Sequence, residues 1–160
     1  MSTANAHMAP ATARSAAGGR RLTVNLLVWG GSALLVWSGA LHFYLWHSLG
    51  YENIPTIGPL FVAQAISCGI LALATAAWRK LLLVLAAAGL AVSSMGGLLV
   101  SVQWGLFGWQ ESLSAPYVGM ALWVEAGAAI LLGMAAALIG GPWLADRREQ
   151  ARHHRAGPSR

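Results

Sequence analysis

Charged side chains are scarce in this 160-residue chain. Only 9% of its residues are Asp, Glu, Lys or Arg, against about a quarter in a soluble domain. So little charge cannot cover a water-facing surface, which excludes an ordinary soluble fold. Cysteine is rarer still: Cys68 stands alone inside an apolar run, so there is no intramolecular disulfide and no Cys-x-x-Cys motif. Lysine occurs once, as Lys80, and the other basic residues are arginines. No nucleophile elbow, phosphate-binding loop or dinucleotide fingerprint is present, which leaves hydrolysis, phosphoryl transfer and nucleotide binding without support. An enzyme is therefore not the leading expectation.

Long apolar runs fill the chain instead, and 57% of the residues are hydrophobic. A bilayer crossing takes about 20 predominantly apolar residues. Four stretches qualify, about 22–46, 59–78, 81–104 and 118–139. The expected fold is an all-α membrane protein, a four-transmembrane-helix bundle over residues 22–140. Residues 1–21 are mostly Ala, Ser, Thr, Gly and Arg; they bury too little to offset their ordering entropy and read as a disordered tail. Gly140-Gly141-Pro142 is expected to end the fourth span, leaving 141–160 as a basic polar tail. Ser38-Gly39-Ala40 has the spacing of a signal-peptidase site, yet the apolar run continues to Trp46. That is long for a signal sequence, so an uncleaved first span is expected. The short Arg79-Lys80 turn makes spans two and three an antiparallel hairpin.

The distribution of charge gives an orientation. All ten lysines and arginines lie in the two tails and the Arg79-Lys80 turn, while the 47–58 and 105–117 connections have none. The positive-inside rule then places both termini in the cytoplasm and both connections outside, in a bacterial inner (plasma) membrane. The net charge of +5 arises from these flanks, so nucleic acid is not an expected partner. Trp46, Trp104 and Trp109 fall at the outer boundary and Trp78 and Trp143 at the inner one, as interfacial rings should. Small residues recur every four positions in span three (Gly89, Ser93, Gly97, Ser101) and span four (Ala121, Ala129, Gly133, Ala137, Gly141). Such stripes let helices approach closely in lipid, and these two are expected to form the bundle's internal contacts.

Against this apolar background the polar residues stand out. Glu125 lies about 10 Å into the fourth span from its outer end, on the small-residue stripe. A charged carboxylate at mid-span costs at least ~2.5–3.5 kcal/mol, so Glu125 needs a partner or a proton. His42 sits near the outer end of span one, with Ser38 four residues earlier on the same face. Gln64 lies in the outer part of span two and Gln103 at the outer end of span three. Each helix thus offers one polar group at similar depth. His42, Gln64, Gln103 and Glu125 either converge on one outward-facing pocket or make separate interhelical hydrogen bonds.

The outer connections add His47, Tyr51, Glu52 and Glu111 as candidates. His47 follows His42 by five residues, about 140° round a helix, so the two do not form an i, i+4 metal pair. Only a chain bent after Trp46 would bring His47 to Glu52 or Glu111, and no metal site is expected. Axial haem ligation by His42 lacks a second membrane histidine, since His7, His153 and His154 lie in the tails.

Across His42-Phe-Tyr-Leu-Trp-His-Ser-Leu-Gly-Tyr-Glu-Asn-Ile-Pro-Thr-Ile-Gly-Pro-Leu-Phe61 and Gly105-Leu-Phe-Gly-Trp-Gln-Glu-Ser-Leu-Ser-Ala-Pro116, the chain resembles a group of small actinobacterial four-span membrane proteins. In span count it is similar to the DoxX-like proteins, some of which are quinol-oxidase or redox-associated subunits. The resemblance carries no mechanism, so no residue inherits a role from it. The functional expectation is a non-catalytic membrane component that binds a partner protein or a small apolar, quinone-like ligand in its outer half. The alternative is a proton- or cation-handling or redox-associated subunit using Glu125 and His42. Expected partners are the lipid bilayer and either other membrane subunits or further copies of the chain.

Overall fold

The computed structural model describes residues 11–155 and contains no β-strand among them. Helix α1 spans Ala11–Ser48, a single 3-10 turn follows at Tyr51–Asn53, and α2 spans Ile57–Trp78. Helices α3 and α4 span Leu81–Trp104 and Val118–Arg155. Segments Gly18–Ser48, Ile57–Trp78, Leu81–Trp104 and Val118–Trp143 are each long and apolar enough to cross a membrane. Their outward faces are apolar as well: Leu73, Leu82 and Trp123 are 72%, 78% and 82% exposed. A helix apolar on both faces suits lipid and not water. The protein is a multi-pass membrane bundle.

Both ends of the bundle extend further than the sequence predicts. Residues 11–21, expected to be a disordered tail, continue α1. Alanine and arginine are strong helix formers, and the segment joins span one with no intervening breaker beyond Gly18-Gly19. Residues 1–10 lie outside the described residues. At the other end, α4 passes through Gly140-Gly141-Pro142 and runs on to Arg155. Proline in a helix interior frees the carbonyl four residues earlier, here that of Leu138. The Arg20 guanidinium donates to that carbonyl from α1, which offsets the bond lost at Pro142. Further on, the Arg147 guanidinium lies 4.2 Å above the Trp143 ring. Residues 156–160 lie outside the described residues.

The helices form a ring. Helix α1 packs on α2 and α4, and α4 packs on α3. Among neighbours around the ring, α2 and α3 touch least, although a two-residue turn joins them. That turn works because Arg79 adopts a left-handed conformation (φ 48°) and its N–H donates to the Thr75 carbonyl at 3.0 Å.

The packed faces differ from the expected four-residue stripes. In α3 the buried positions are Val84, Ala87, Ala91 and Ser101, while Gly89 and Ser93 are exposed. In α4 they are Val118, Ala121, Val124, Glu125, Ala128, Leu132, Ala135, Ala136 and Gly140; Ala129 is half-buried, and Gly133, Ala137 and Gly141 face outward. The reason is rotational. A four-residue step advances about 400° around a helix, so a strict i+4 row drifts about 40° per step. Alternating steps of three and four residues hold one face. Backbone approach is closest instead at α1. A Cβ on Gly39 would lie 2.9 Å from the Cys68 Cβ and 3.1 Å from the Ala65 carbonyl oxygen, and one on Gly31 would lie 2.6 Å from the Leu132 Cγ. Two of the small residues in Ser38-Gly39-Ala40 thus have a packing or hydrogen-bonding use inside the bundle.

Candidate functional site

The half of the ring away from the Arg79-Lys80 turn, called outer only for its place toward the 49–56 and 105–117 connections, encloses a cavity of about 300 Å³. At its base four side chains from three helices meet: Ser38 and His42 from α1, Ser94 from α3 and Glu125 from α4. Ser94 Oγ donates to Glu125 Oε1 at 2.6 Å, and Ser38 Oγ donates to the same oxygen at 3.2 Å. Glu125 is 1% exposed, and its second oxygen, Oε2, is buried with no hydrogen-bond partner among the described residues. Buried polar atoms are ordinarily satisfied, and the residue that carries this unpaired oxygen lines the cavity.

His42 completes the base. Its Nδ1 lies 2.9 Å from the Ser38 carbonyl oxygen. A carbonyl only accepts, so Nδ1 carries the hydrogen. In a neutral ring Nε2 is then an acceptor; it lies 3.4 Å from Ser94 Oγ and 3.8 Å from Glu125 Oε1. Ser94 has one hydroxyl hydrogen, and its 2.6 Å contact assigns that hydrogen to Glu125. Nε2 is left facing the carboxyl with no committed donor.

Above this base the walls are apolar, with Leu45, Leu60, Phe61, Leu98, Val118 and Ala121 among the lining residues. An aromatic column climbs one side: the Phe61 ring lies 5.0 Å from His42 and 4.9 Å from Tyr51, and Tyr51 is 6.2 Å from Trp109. The two outer connections meet at the mouth, where Tyr51 Oη donates to Glu111 Oε2 at 2.6 Å. Trp109 Nε1 donates to the same carboxylate oxygen at 3.5 Å. Burial, then the hydrogen bond to Glu111 and its charge, push the Tyr51 phenol above its ordinary range. Both connections are bent by residues in the left-handed region, Gly50 and Thr56 in one and Gly105, Phe107, Gly108 and Tyr117 in the other. Gly58 allows the first to close: a Cβ there would sit 2.9 Å from the backbone oxygens of Tyr51 and Glu52.

Three of the four intramembrane candidates are brought together. His42, Gln64 and Glu125 line the cavity, and Gln64 Nε2 also lies 3.6 Å from Cys68 Sγ. Gln103 does not join them. It is exposed and off the cavity wall, because it stands about 200° round α3 from the buried Ser101. Of the outer candidates, Tyr51 and Glu111 pair at the mouth, whereas His47 and Glu52 are exposed and outside it. Helix α1 continues through Ser48, and His47 stacks on Phe43 at 6.0 Å, so the chain does not bend where a metal role would need it. Among the described residues no three His, Cys, Asp or Glu side chains gather as a metal site. Trp109, expected as an interfacial anchor, belongs to the cavity. Ser94, which nothing in the sequence singles out, makes the shortest contact to Glu125.

The fold and this site define a class: a four-helix membrane bundle with a polar-based cavity open in one half. Compared with protein-family models, curated proteins and solved structures, the chain matches none of them.

Proposed function

We propose that the chain is a membrane-embedded binding protein for a small, largely apolar molecule with a polar head, quinone-like in chemistry. The observation that carries this reading is an apolar-walled cavity lined at its base by Glu125, whose Oε2 is buried with no hydrogen-bond partner among the described residues. Ligand sites characteristically combine apolar walls with a few convergent polar groups, and their volumes start at roughly 300 Å³. Glu125 Oε2 accepts a hydrogen bond when ionised and donates one when protonated, so it serves the hydroxyl of a quinol or the carbonyl of a quinone. A cavity of this size takes a ring-sized head. The loosely packed α2–α3 seam gives a tail a path into lipid. With the arginines at the opposite end of the bundle, the mouth faces outward and both termini face the cytoplasm.

A second reading deepens the first. His42 Nε2 and Glu125 Oε1 are 3.8 Å apart, close enough to share one proton through Ser94 or a ligand hydroxyl, as a redox-associated subunit would need.

The test uses the full chain in nanodiscs, titrated with short-tailed benzoquinone and naphthoquinone analogues and followed by tryptophan quenching. Saturable quenching is expected, with Trp109→Phe losing most of the signal. Glu125→Gln and Ser94→Ala should weaken binding about 3–10-fold, the worth of one hydrogen bond. Quenching that never saturates, or that ignores all three substitutions, would sink the ligand reading. Proton uptake on binding that disappears in His42→Ala would support the second reading.

A further inference from the structure

At the end of the bundle opposite the cavity mouth lies a second hollow, of about 530 Å³, where α1, α4 and the α2–α3 turn meet. We propose that it is a binding site for a phosphate-bearing headgroup, built on Arg20, Arg21 and Arg79. The proposal is independent of the ligand site in the outer half.

Three arginines from two separate chain segments line this hollow, together with Asn25. Each is positioned by local structure. Arg20 and Arg21 are consecutive on α1, and Asn25 follows Arg21 by four residues on the same face. Arg20 is tethered across to α4 through the Leu138 carbonyl that Pro142 leaves without its helical donor. Arg79 comes from the end of α2, swung out by its left-handed backbone.

Like charges gathered around one hollow repel unless an anion lies between them. Among the residues whose side chains the structure describes, no carboxylate pairs with any of these three arginines. Guanidinium forks match phosphate oxygens two at a time. The remaining lining, Val24, Leu138 and Ile139, is apolar and offers a bed for the first carbons of acyl chains. The hollow also lies beside the ends of the apolar spans, where the headgroups of a bilayer lie. Basic pockets between transmembrane helices recognise anionic lipid headgroups in this way. A soluble phosphate compound shares the same chemistry, and the experiment separates the two sources.

The full chain is placed in phosphatidylcholine nanodiscs containing a graded fraction of phosphatidylglycerol, and retained lipids are counted by native mass spectrometry. Wild type should keep a phosphatidylglycerol molecule that phosphatidylcholine does not displace. The Arg21→Gln/Arg79→Gly double variant should lose about 25-fold in affinity, roughly fivefold for each arginine. Glycine is chosen at position 79 because a left-handed helix end favours it, so the charge is lost while the turn keeps its conformation. Arg21→Gln alone, with an expected fivefold loss, decides the matter if the double variant does not fold. Arg147→Gln, off the hollow, should match wild type. Millimolar inorganic phosphate that displaces the lipid would identify a soluble phosphate compound as an equal occupant, and phosphate without effect would identify the lipid. Equal retention by wild type and variants, or an equal loss in Arg147→Gln, would overturn the proposal, because either result means that charge in general and not this hollow holds the anion.

Discussion

The same four helices are packed in two different ways along their length. Toward the Arg79-Lys80 turn, Val28, Leu35, Cys68, Ala72, Val84, Ala87, Ala128 and Leu132 form one continuous buried cluster. Toward the outer connections the buried cluster shrinks to Leu41, Leu45 and Ala121, and a cavity replaces the rest. Side-chain size accounts for the difference. Alanines and Gly31 let α1 and α3 each close on α4 in the inner half, whereas Phe61, Tyr51 and Trp109 stand between the helices in the outer half. A membrane bundle gains little from hydrophobic transfer and depends on close packing. The inner half therefore holds the ring together, and the outer half is free to stay hollow.

The largest expected effect comes from removing bulk on each side of that divide. Leu132 is fully buried in the inner cluster, and Leu132→Ala should cost about 2–5 kcal/mol, as buried leucine truncations do. Leu98 is only partly buried beside the cavity, and its contacts on that side are already missing, so Leu98→Ala should cost less than about half as much. Thermal or denaturant unfolding in one detergent compares the two variants directly. Equal losses would mean that the outer half is as well packed as the inner one.

Adding bulk sharpens the same comparison from the other direction. Gly31→Val drives a side chain into Leu132 and should destabilise by about 1–3 kcal/mol. A Cβ on Gly97 meets nothing within 4 Å, and replacing a mid-helix glycine regains backbone entropy. Gly97→Val should therefore be neutral or stabilising by up to ~1 kcal/mol, while its side chain enters the cavity and abolishes quinone-analogue binding. Normal folding with lost binding is the expected pair of results. A Gly97→Val protein that binds as well as wild type would separate the cavity from ligand binding.

What the sequence reveals follows the same line. Glu125 is legible because a lone acid in an apolar run has few innocent explanations, and His42 because Ser38 shares its face. The span count is legible because each apolar run is long enough to cross a bilayer. Ser94 is not, since serine also serves as a small packing residue in membrane helices and α3 contains three of them. Gln103 misleads because depth along a helix can be counted from sequence, whereas direction around it depends on which face the neighbours occupy. The four-residue stripes fail in part on the same rotation, with Ser101 and Ala121 buried but Gly89, Ser93, Gly133, Ala137 and Gly141 exposed. Pro142 misleads differently: its helix-breaking tendency is overcome by a tertiary contact from Arg20 to the Leu138 carbonyl, 118 positions away in the chain, which no local pattern contains.

The smallest expected effect concerns the mouth. Tyr51 and Glu111 are the one side-chain hydrogen bond found between the two outer connections among the described residues, and Tyr51→Phe should cost about 0.5–1.5 kcal/mol. Its pH dependence has a definite sign. Because the folded protein raises the Tyr51 phenol above its ordinary value near 10, the neutral, donating form is the one that folding favours. The contribution is then fully present below the unfolded value of about 10 and is lost only as pH rises through the higher folded one. The mouth contact should therefore persist at alkaline pH where an ordinary tyrosine has already ionised. Tyrosinate absorbance, read as wild type minus Tyr51→Phe, isolates this group from Tyr44 and Tyr117. Ionisation at the ordinary value would mean that the phenol is open to water and that the two connections do not close over the cavity.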